Sequence, residues 1–170
     1  MFLENPVYNN EQFGWIEVIC GSMFSGKTEE LIRRIKRAKI ANQKIKVFKP
    51  VIDSRSKNFI ESHDESKLEC IEVKSSNEIL KKIDNCDVVA IDEAQFFDDL
   101  IVPVCNKIAN NGVRVIIAGL DMDYLGIHLV QCQILWQFQS MLQKYMPFVK
   151  NQEILQIIVT EKTTKRISLL

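Results

Sequence analysis

The sequence predicts an α/β domain with a mainly parallel sheet and flanking helices, and three stretches carry that prediction. The first is Gly21-Ser22-Met23-Phe24-Ser25-Gly26-Lys27-Thr28, which reads G-x-x-x-x-G-K-[ST]. It lies between an apolar segment of strand length, Trp15 to Cys20, and a segment with apolar residues at helical spacing, Glu29 to Ala38. The second is Asp87 to Glu93, where Val88 to Ile91 read as a strand buried on both faces and acids close it. The third is Val113 to Gly119, another buried-type strand, opening onto Leu120-Asp121-Met122-Asp123-Tyr124. Strands that alternate with helices give a parallel sheet wrapped on both faces. With the glycine loop at its head, the expected arrangement is a phosphate-loop, RecA-like sheet.

The remaining elements follow in order. Met1 to Phe13 is polar, contains Pro6 and reads as a loose lead-in. The helix after the loop carries Arg33, Arg34, Lys36, Arg37 and Lys39. Such a face suits nucleic acid, but a formal net charge of zero favours a merely solvated face. Lys44 to Lys49 alternates polar and apolar and stops at Pro50, as a second strand would. Val51 to Ser66 has no clear period and reads as a loop, and its His63 is given no role. Leu68 to Val73 alternates and predicts a third strand; Ser75 or Ser76 is placed to cap a helix through about Ile83. A helix is expected over Asp98 to Asn110, with Pro103 awkward inside it and Gly112 as its stop signal. Residues 1–13 are therefore a lead-in, 14–127 the nucleotide-binding domain, and 128–170 a separate tail.

Composition narrows the setting. A chain of 170 residues with 46% hydrophobic residues can bury a core of its own. No apolar run approaches a membrane span, and the acidic first residues do not read as a signal peptide. The five cysteines (Cys20, Cys70, Cys86, Cys105 and Cys132) stand singly, without a C-x-x-C pair, which argues against a zinc site or a disulfide framework. The expectation is a reduced, cytoplasmic protein that binds neither nucleic acid nor membrane.

The chemistry of the motifs is phosphate chemistry. A glycine turn from a strand into a helix presents backbone N–H groups to an anion, and the helix dipole favours negative charge there. Lys27 is expected to reach the β- and γ-phosphates and the Thr28 hydroxyl to ligate Mg²⁺. An acid at the C-terminal end of a parallel strand lies where ligands bind in such sheets. Asp92 is placed to hold the metal shell and Glu93 to serve as a general base. An Asp-Glu pair that merely ends a strand is the plainer reading, and the loop upstream tips the balance to the functional one.

Together these residues resemble the class II thymidine kinases, the cellular, bacterial and poxviral type unrelated to the lidded deoxynucleoside kinases. That family's loop is similar to G-x-M-x-S-G-K-[ST], here with Met23; its D-E-x-Q-F is Asp92-Glu93-Ala94-Gln95-Phe96; its G-L-D-x-D-[FY] is Gly119 to Tyr124. Asp53 and Arg55 fall in its D-x-R loop. The resemblance covers about residues 14 to 126. It implies ATP-dependent phosphorylation of thymidine in nucleotide salvage, with Mg²⁺. It implies an ATP site of Gly21, Ser22, Met23, Phe24, Ser25, Gly26, Lys27, Thr28, Asp92, Glu93, Ala94 and Gln95, with Mg²⁺ at Thr28 and Asp92. Glu93 becomes the base on the thymidine 5′-hydroxyl. Met23, Phe96, Leu120 and Tyr124 would line the thymine pocket, with Asp53 and Arg55 also at the substrate and Arg55 serving phosphate charge. It further implies a homotetramer.

The resemblance stops after Gly126. The family continues there with a segment like P-F-G-P-x-P-x-L-M, paired zinc-binding cysteines and a lasso loop over thymidine. This chain has His128-Leu129-Val130-Gln131-Cys132-Gln133 instead, so the zinc and lasso subdomain is expected to be missing. Zinc needs about four N/S ligands, and here only Cys132 and His128 offer themselves. His128 to Gln133 can be encoded CAT TTG GTC CAA TGC CAA, which displaced by two nucleotides reads F-G-P-M-P. The displaced frame can continue as N-L-M-A-I-S-E-Y-V-T-K-V-H-A-I-C through Val149, again similar to the family. The expectation is a frameshifted tail from about His128, in the gene or its sequencing. A divergent C-terminal module is the alternative, with Val130 to Tyr145 helical and Ile154 to Val159 a strand. Either way, impaired thymidine phosphorylation is expected, or an inactive nucleotide-binding remnant.

Overall fold

The computed structural model describes residues 7–8, 11–12, 14–53, 59–61, 67–122 and 141–145. Its centre is a six-stranded sheet. The strands are β3 (Ile16–Gly21), β4 (Ile45–Pro50), β7 (Ile71–Val73), β8 (Val88–Ile91), β9 (Arg114–Leu120) and β10 (Met141–Tyr145). They lie in the order β10-β3-β9-β8-β4-β7, and every neighbouring pair is parallel. Two short hairpins accompany the sheet: β1 (Val7–Tyr8) with β2 (Glu11–Gln12), and β5 (Phe59–Glu61) with β6 (Lys67–Glu69). The expected fold class holds, since parallel strands need crossovers and the chain supplies helices for them.

Helices cover both faces. α1 (Lys27–Ile40) packs Leu31, Ile32, Ile35 and Ala38 against Ile19, Val88, Ala90, Ile116 and Ala118. α2 (Ser76–Lys82) and α3 (Ile101–Asn110) cover the other face, where Ile79, Ile101, Val104 and Ile108 meet Ile16, Val18, Val89, Ile91, Val115 and Ile117. The period-two alternation of each strand decides which side chain meets which helix layer. In β3 it turns Ile16, Val18 and Cys20 to the α2–α3 side and Ile19 to the α1 side. α1 is charged in the sense its dipole favours, with Glu29 and Glu30 in the first turn and Arg37 and Lys39 in the last.

Glu17 lies on the α1 side of β3 and is only 3% exposed. Arg34 from α1 donates to its Oε2 at 2.6 Å, Arg114 from β9 donates to its Oε1 at 2.7 Å, and the Trp15 indole N–H donates to Oε1 at 2.7 Å. Arg34 also donates to Glu30 at 2.8 Å, and Glu30 in turn accepts from Arg33. A solvated basic face is therefore wrong for Arg34, which is buried between two carboxylates. Lys36, Arg37 and Lys39 are exposed, as that reading expects.

Other expectations change in detail. The polar lead-in contains the small β1–β2 hairpin. The single strand expected over Leu68 to Val73 is two: Lys67–Glu69 pairs antiparallel with β5, and Ile71–Val73 joins the main sheet beside β4. One alternating run served two sheets, which periodicity does not reveal. No serine side chain caps α2; Asp98 Oδ2 instead accepts the Ser76 backbone N–H at 3.2 Å. α3 starts at Ile101 rather than Asp98, so Pro103 lies in the first turn, where its missing N–H costs no helical bond. The helix expected over Val130 to Tyr145 is strand at Met141–Tyr145, in parallel register with β3 from Glu17 to Gly21. His63, His128, Cys132 and the strand expected at Ile154 to Val159 lie outside the described residues.

Candidate functional site

The site occupies the C-terminal edge of the sheet, where β3, β9, β8 and β4 all end. β3 runs into the glycine loop, and α1 leaves it at Lys27. Gly26, at the helix N-cap, has φ 81°, a left-handed conformation that favours glycine. Phe24, with φ 59°, is held in the same region at a cost that is tolerated at functional turns. The Lys27 ammonium donates to the Ser22 carbonyl at 2.6 Å, arching the loop over its own cation. The Ser22 and Ser25 hydroxyls are buried without a hydrogen-bond partner. Such groups are costly unless a ligand serves them, so an orphaned pair inside this loop fits phosphate oxygens.

Asp92 follows β8 directly and is buried. Its Oδ2 lies 3.4 Å from Thr28 Oγ1, and its Oδ1 accepts the Glu93 backbone N–H at 3.0 Å. β9 stands between β3 and β8, so this contact reaches across one strand to join the loop to the acids. One hydroxyl and one carboxylate suit Mg²⁺, which keeps several waters and takes its other ligands from substrate phosphates. Among the described residues there is no cluster of three or more His, Cys, Asp or Glu side chains able to hold a metal ion unaided.

Glu93 has φ 52°, a second strained position, and begins the 3₁₀ turn Ala94–Phe96. That turn is anchored by buried Ala94 and Phe97. The turn's Gln95 reaches both ways: it donates to the Glu93 carboxylate, and its Oε1 accepts the Leu120 N–H at 3.0 Å. Leu120 pairs in register with Gly21, and the Asp121 N–H donates to the Gly21 carbonyl at 3.4 Å. The loop, the acidic turn and the end of β9 thus form one contiguous patch. Met23, Phe24 and Phe96 are exposed on it, at 55%, 74% and 50%. Large apolar side chains left in water at the mouth of a polar site are suited to cover a flat, apolar ligand ring.

Asp53 lies past the end of β4, beside β8, with its N–H donating to the Pro50 carbonyl at 3.1 Å. Arg55 and Tyr124 lie outside the described residues. Sequence reasoning passed over Lys49, which looked like the polar member of an alternating strand. It is fully buried at the site edge, 3.7 Å from Glu72 and 3.4 Å from the Asp53 carbonyl oxygen. The available signal was a lysine directly before Pro50 at the expected ligand end of a strand. Asp121 is also buried here and had been quoted only as part of a motif. Nearby Cys70 is no nucleophile: burial pushes its thiol up to about 11, against the opposing pull of Lys49.

Fold and site define a phosphate-loop nucleotide-binding protein with a buried acid, Asp92, set against the loop. Comparison with known proteins narrows this. The family model described as thymidine kinase matches residues 14–147, and this chain belongs to that family. A thymidine kinase of Bacteroides fragilis is 57% identical over 128 residues, covering 75% of this chain and 64% of the relative. One from Bacteroides thetaiotaomicron is 56% identical over 127 residues, covering 74% and 64%. One from a Rhodothermus species is 60% identical over 114 residues, covering 66% and 54%. The chain thus spans less than two thirds of the length of these relatives.

Proposed function

We propose that this chain binds ATP with Mg²⁺ and transfers the γ-phosphoryl group to the 5′-hydroxyl of thymidine, with turnover reduced by its tail. The observation that carries the reading is the approach of Thr28 to Asp92, with Glu93 next in sequence, in a chain more than half identical to thymidine kinases over 128 residues. Phosphoryl transfer asks the protein for positioning and charge stabilisation rather than covalent chemistry. The loop amides of Gly21 to Thr28 and the Lys27 ammonium hold the triphosphate. Thr28 and Asp92 would hold Mg²⁺, which would supply positive charge against the phosphates. Glu93 takes the proton from the attacking hydroxyl. Ala94 and Gln95 complete the acidic turn at the ATP side. Met23, Phe96 and Leu120 line the base, and Asp53 lies on the substrate side past the end of β4; by the family resemblance Tyr124 serves the base and Arg55 the phosphate charge. No helix among the described residues is long and apolar enough to cross a membrane, which is compatible with action in the cytoplasm. Assembly as a homotetramer is part of the same proposal.

The second reading is a nucleotide-binding remnant, with the frame displaced from about His128 and the cover over thymidine lost. The Bacteroides fragilis relative aligns with 75% of this chain, which leaves a quarter unaligned and favours this reading; the family match runs to residue 147, past His128. An open site neither excludes water nor holds the acceptor, and misplacement of the acceptor costs about 10²-fold. A radiometric thymidine phosphorylation assay beside an ATP-binding titration separates the readings. The expected result is saturable ATP–Mg²⁺ binding with turnover about 10²-fold below that of a full-length relative. Turnover equal to the relative's refutes impairment, and no detectable turnover with intact binding establishes the remnant. Resequencing the locus decides between a mutation and a reading error.

A further inference from the structure

The contacts of the acidic turn leave one side chain with a role that the proposed chemistry does not use. Gln95 spans from the Glu93 carboxylate to the backbone of Leu120. Donor and acceptor chemistry settles which end of the amide goes where. The Leu120 N–H is only a donor and must take Oε1, which leaves Nε2 to donate to a carboxylate that only accepts. The bridge is close-packed against β9. A Cβ at Gly119 would lie 3.0 Å from the Ala94 Cβ and 3.2 Å from Gln95 Oε1, so a side chain there would press on the turn and its amide. Glu93 itself is held on a strained backbone, φ 52°, which alone does not fix the direction of its side chain.

We propose that Gln95 is a positioning residue: its amide aims the Glu93 carboxylate and ties it to Leu120, so that the end of β9 and the acid are set as one unit. This rests on the reading of Glu93 as the base. A base must lie within hydrogen-bond reach of the hydroxyl it serves, and small displacements are costly. Through Leu120, the strand end that would contact the nucleobase is mechanically joined to the group that would deprotonate the sugar. Gln95 touches neither reacting atom and acts only through Glu93.

The test compares the full wild-type chain with Gln95→Met and Gln95→Glu. Met removes both hydrogen bonds at similar volume. Glu keeps an acceptor for the Leu120 N–H and removes the donor to Glu93. The expected kinetic result is a fall in kcat of about tenfold or more in both variants, larger than any change in KM for ATP, with the melting temperature held. The expected crystallographic result is a Glu93 carboxylate that has left residue 95 in both. A wild-type kcat in Gln95→Glu, or a Glu93 carboxylate unmoved in Gln95→Met, overturns the proposal. Should Gln95→Met fail to fold, Gly119→Ala replaces it, because its Cβ crowds the same amide; an unmoved Glu93 and unchanged kcat there count equally against the idea. A wild-type chain that phosphorylates no thymidine counts against the proposed activity and not against the bridge, and the position of the Glu93 carboxylate in the variants then decides the positioning role alone.

Discussion

Glu93→Gln is expected to lower the turnover of thymidine phosphorylation by about 10²–10⁴-fold while leaving ATP–Mg²⁺ affinity within about twofold. The substitution is nearly isosteric. It leaves the phosphate loop untouched and keeps the backbone N–H that donates to Asp92 Oδ1 at 3.0 Å. It removes only the carboxylate that accepts a proton. Loss of ATP affinity of the same size would mean that Glu93 serves nucleotide binding rather than base chemistry. Unchanged turnover would remove it from the reaction. Single-turnover radiometry suits the measurement, because it reads the chemical step even where steady-state rates are low.

Glu17→Ala is expected to destabilise the fold by about 3–5 kcal/mol, read as a lowered denaturant midpoint at unchanged slope. The reason lies in what stays behind. Arg34 and Arg114 have side chains only 7% and 10% exposed, and both donate to Glu17. Removing the carboxylate takes from buried Arg114 both of its hydrogen bonds to Glu17 and leaves Arg34 one of its two carboxylates, whereas replacing the whole cluster with apolar residues need cost little. The same cluster links stability to pH. Burial opposes ionisation of Glu17, but Arg114 and Arg34 outweigh it, and its pKa falls below 4.5. Burial opposes ionisation of Glu30 too, and Arg33 and Arg34 outweigh it in the same way. A carboxylate whose pKa is lower in the folded state adds stability that is fully present above the unfolded value. That stability is lost as pH falls through the folded one. Acid unfolding should therefore steepen below about pH 4.5 in the wild type and flatten in Glu17→Gln.

Much of this architecture was legible in the residues. Val88 to Ile91 and Arg114 to Leu120 are apolar runs because both of their faces are covered by helices, and such runs announce themselves. The loop from Gly21 to Thr28 was legible because its glycines, lysine and hydroxyl are each required by one ligand, at one spacing. The partners of Glu17 were not. Glu17 and Arg114 are separated by 97 positions, and no local period encodes a contact of that range. The division of Leu68 to Val73 between two sheets was hidden for the same reason. Alternation states which side chains face a core but not which strand lies alongside. Lys49 and Gln95 were underread because each looks ordinary in sequence and takes its place at the site edge only through its neighbours, Asp53 and Glu72 for one, Glu93 and Leu120 for the other.

The proposed activity depends most directly on the phosphate loop being a working ATP site. Isothermal titration of ATP–Mg²⁺ into the full chain and into Lys27→Ala measures that, independent of any turnover. The prediction is saturable binding at one site per chain, weakened about 10²-fold or more in the variant, since the charge-assisted contact proposed between Lys27 and phosphate is lost. Equal affinity in the two proteins would contradict it, and with it the assignment of Gly21 to Thr28 as the nucleotide site.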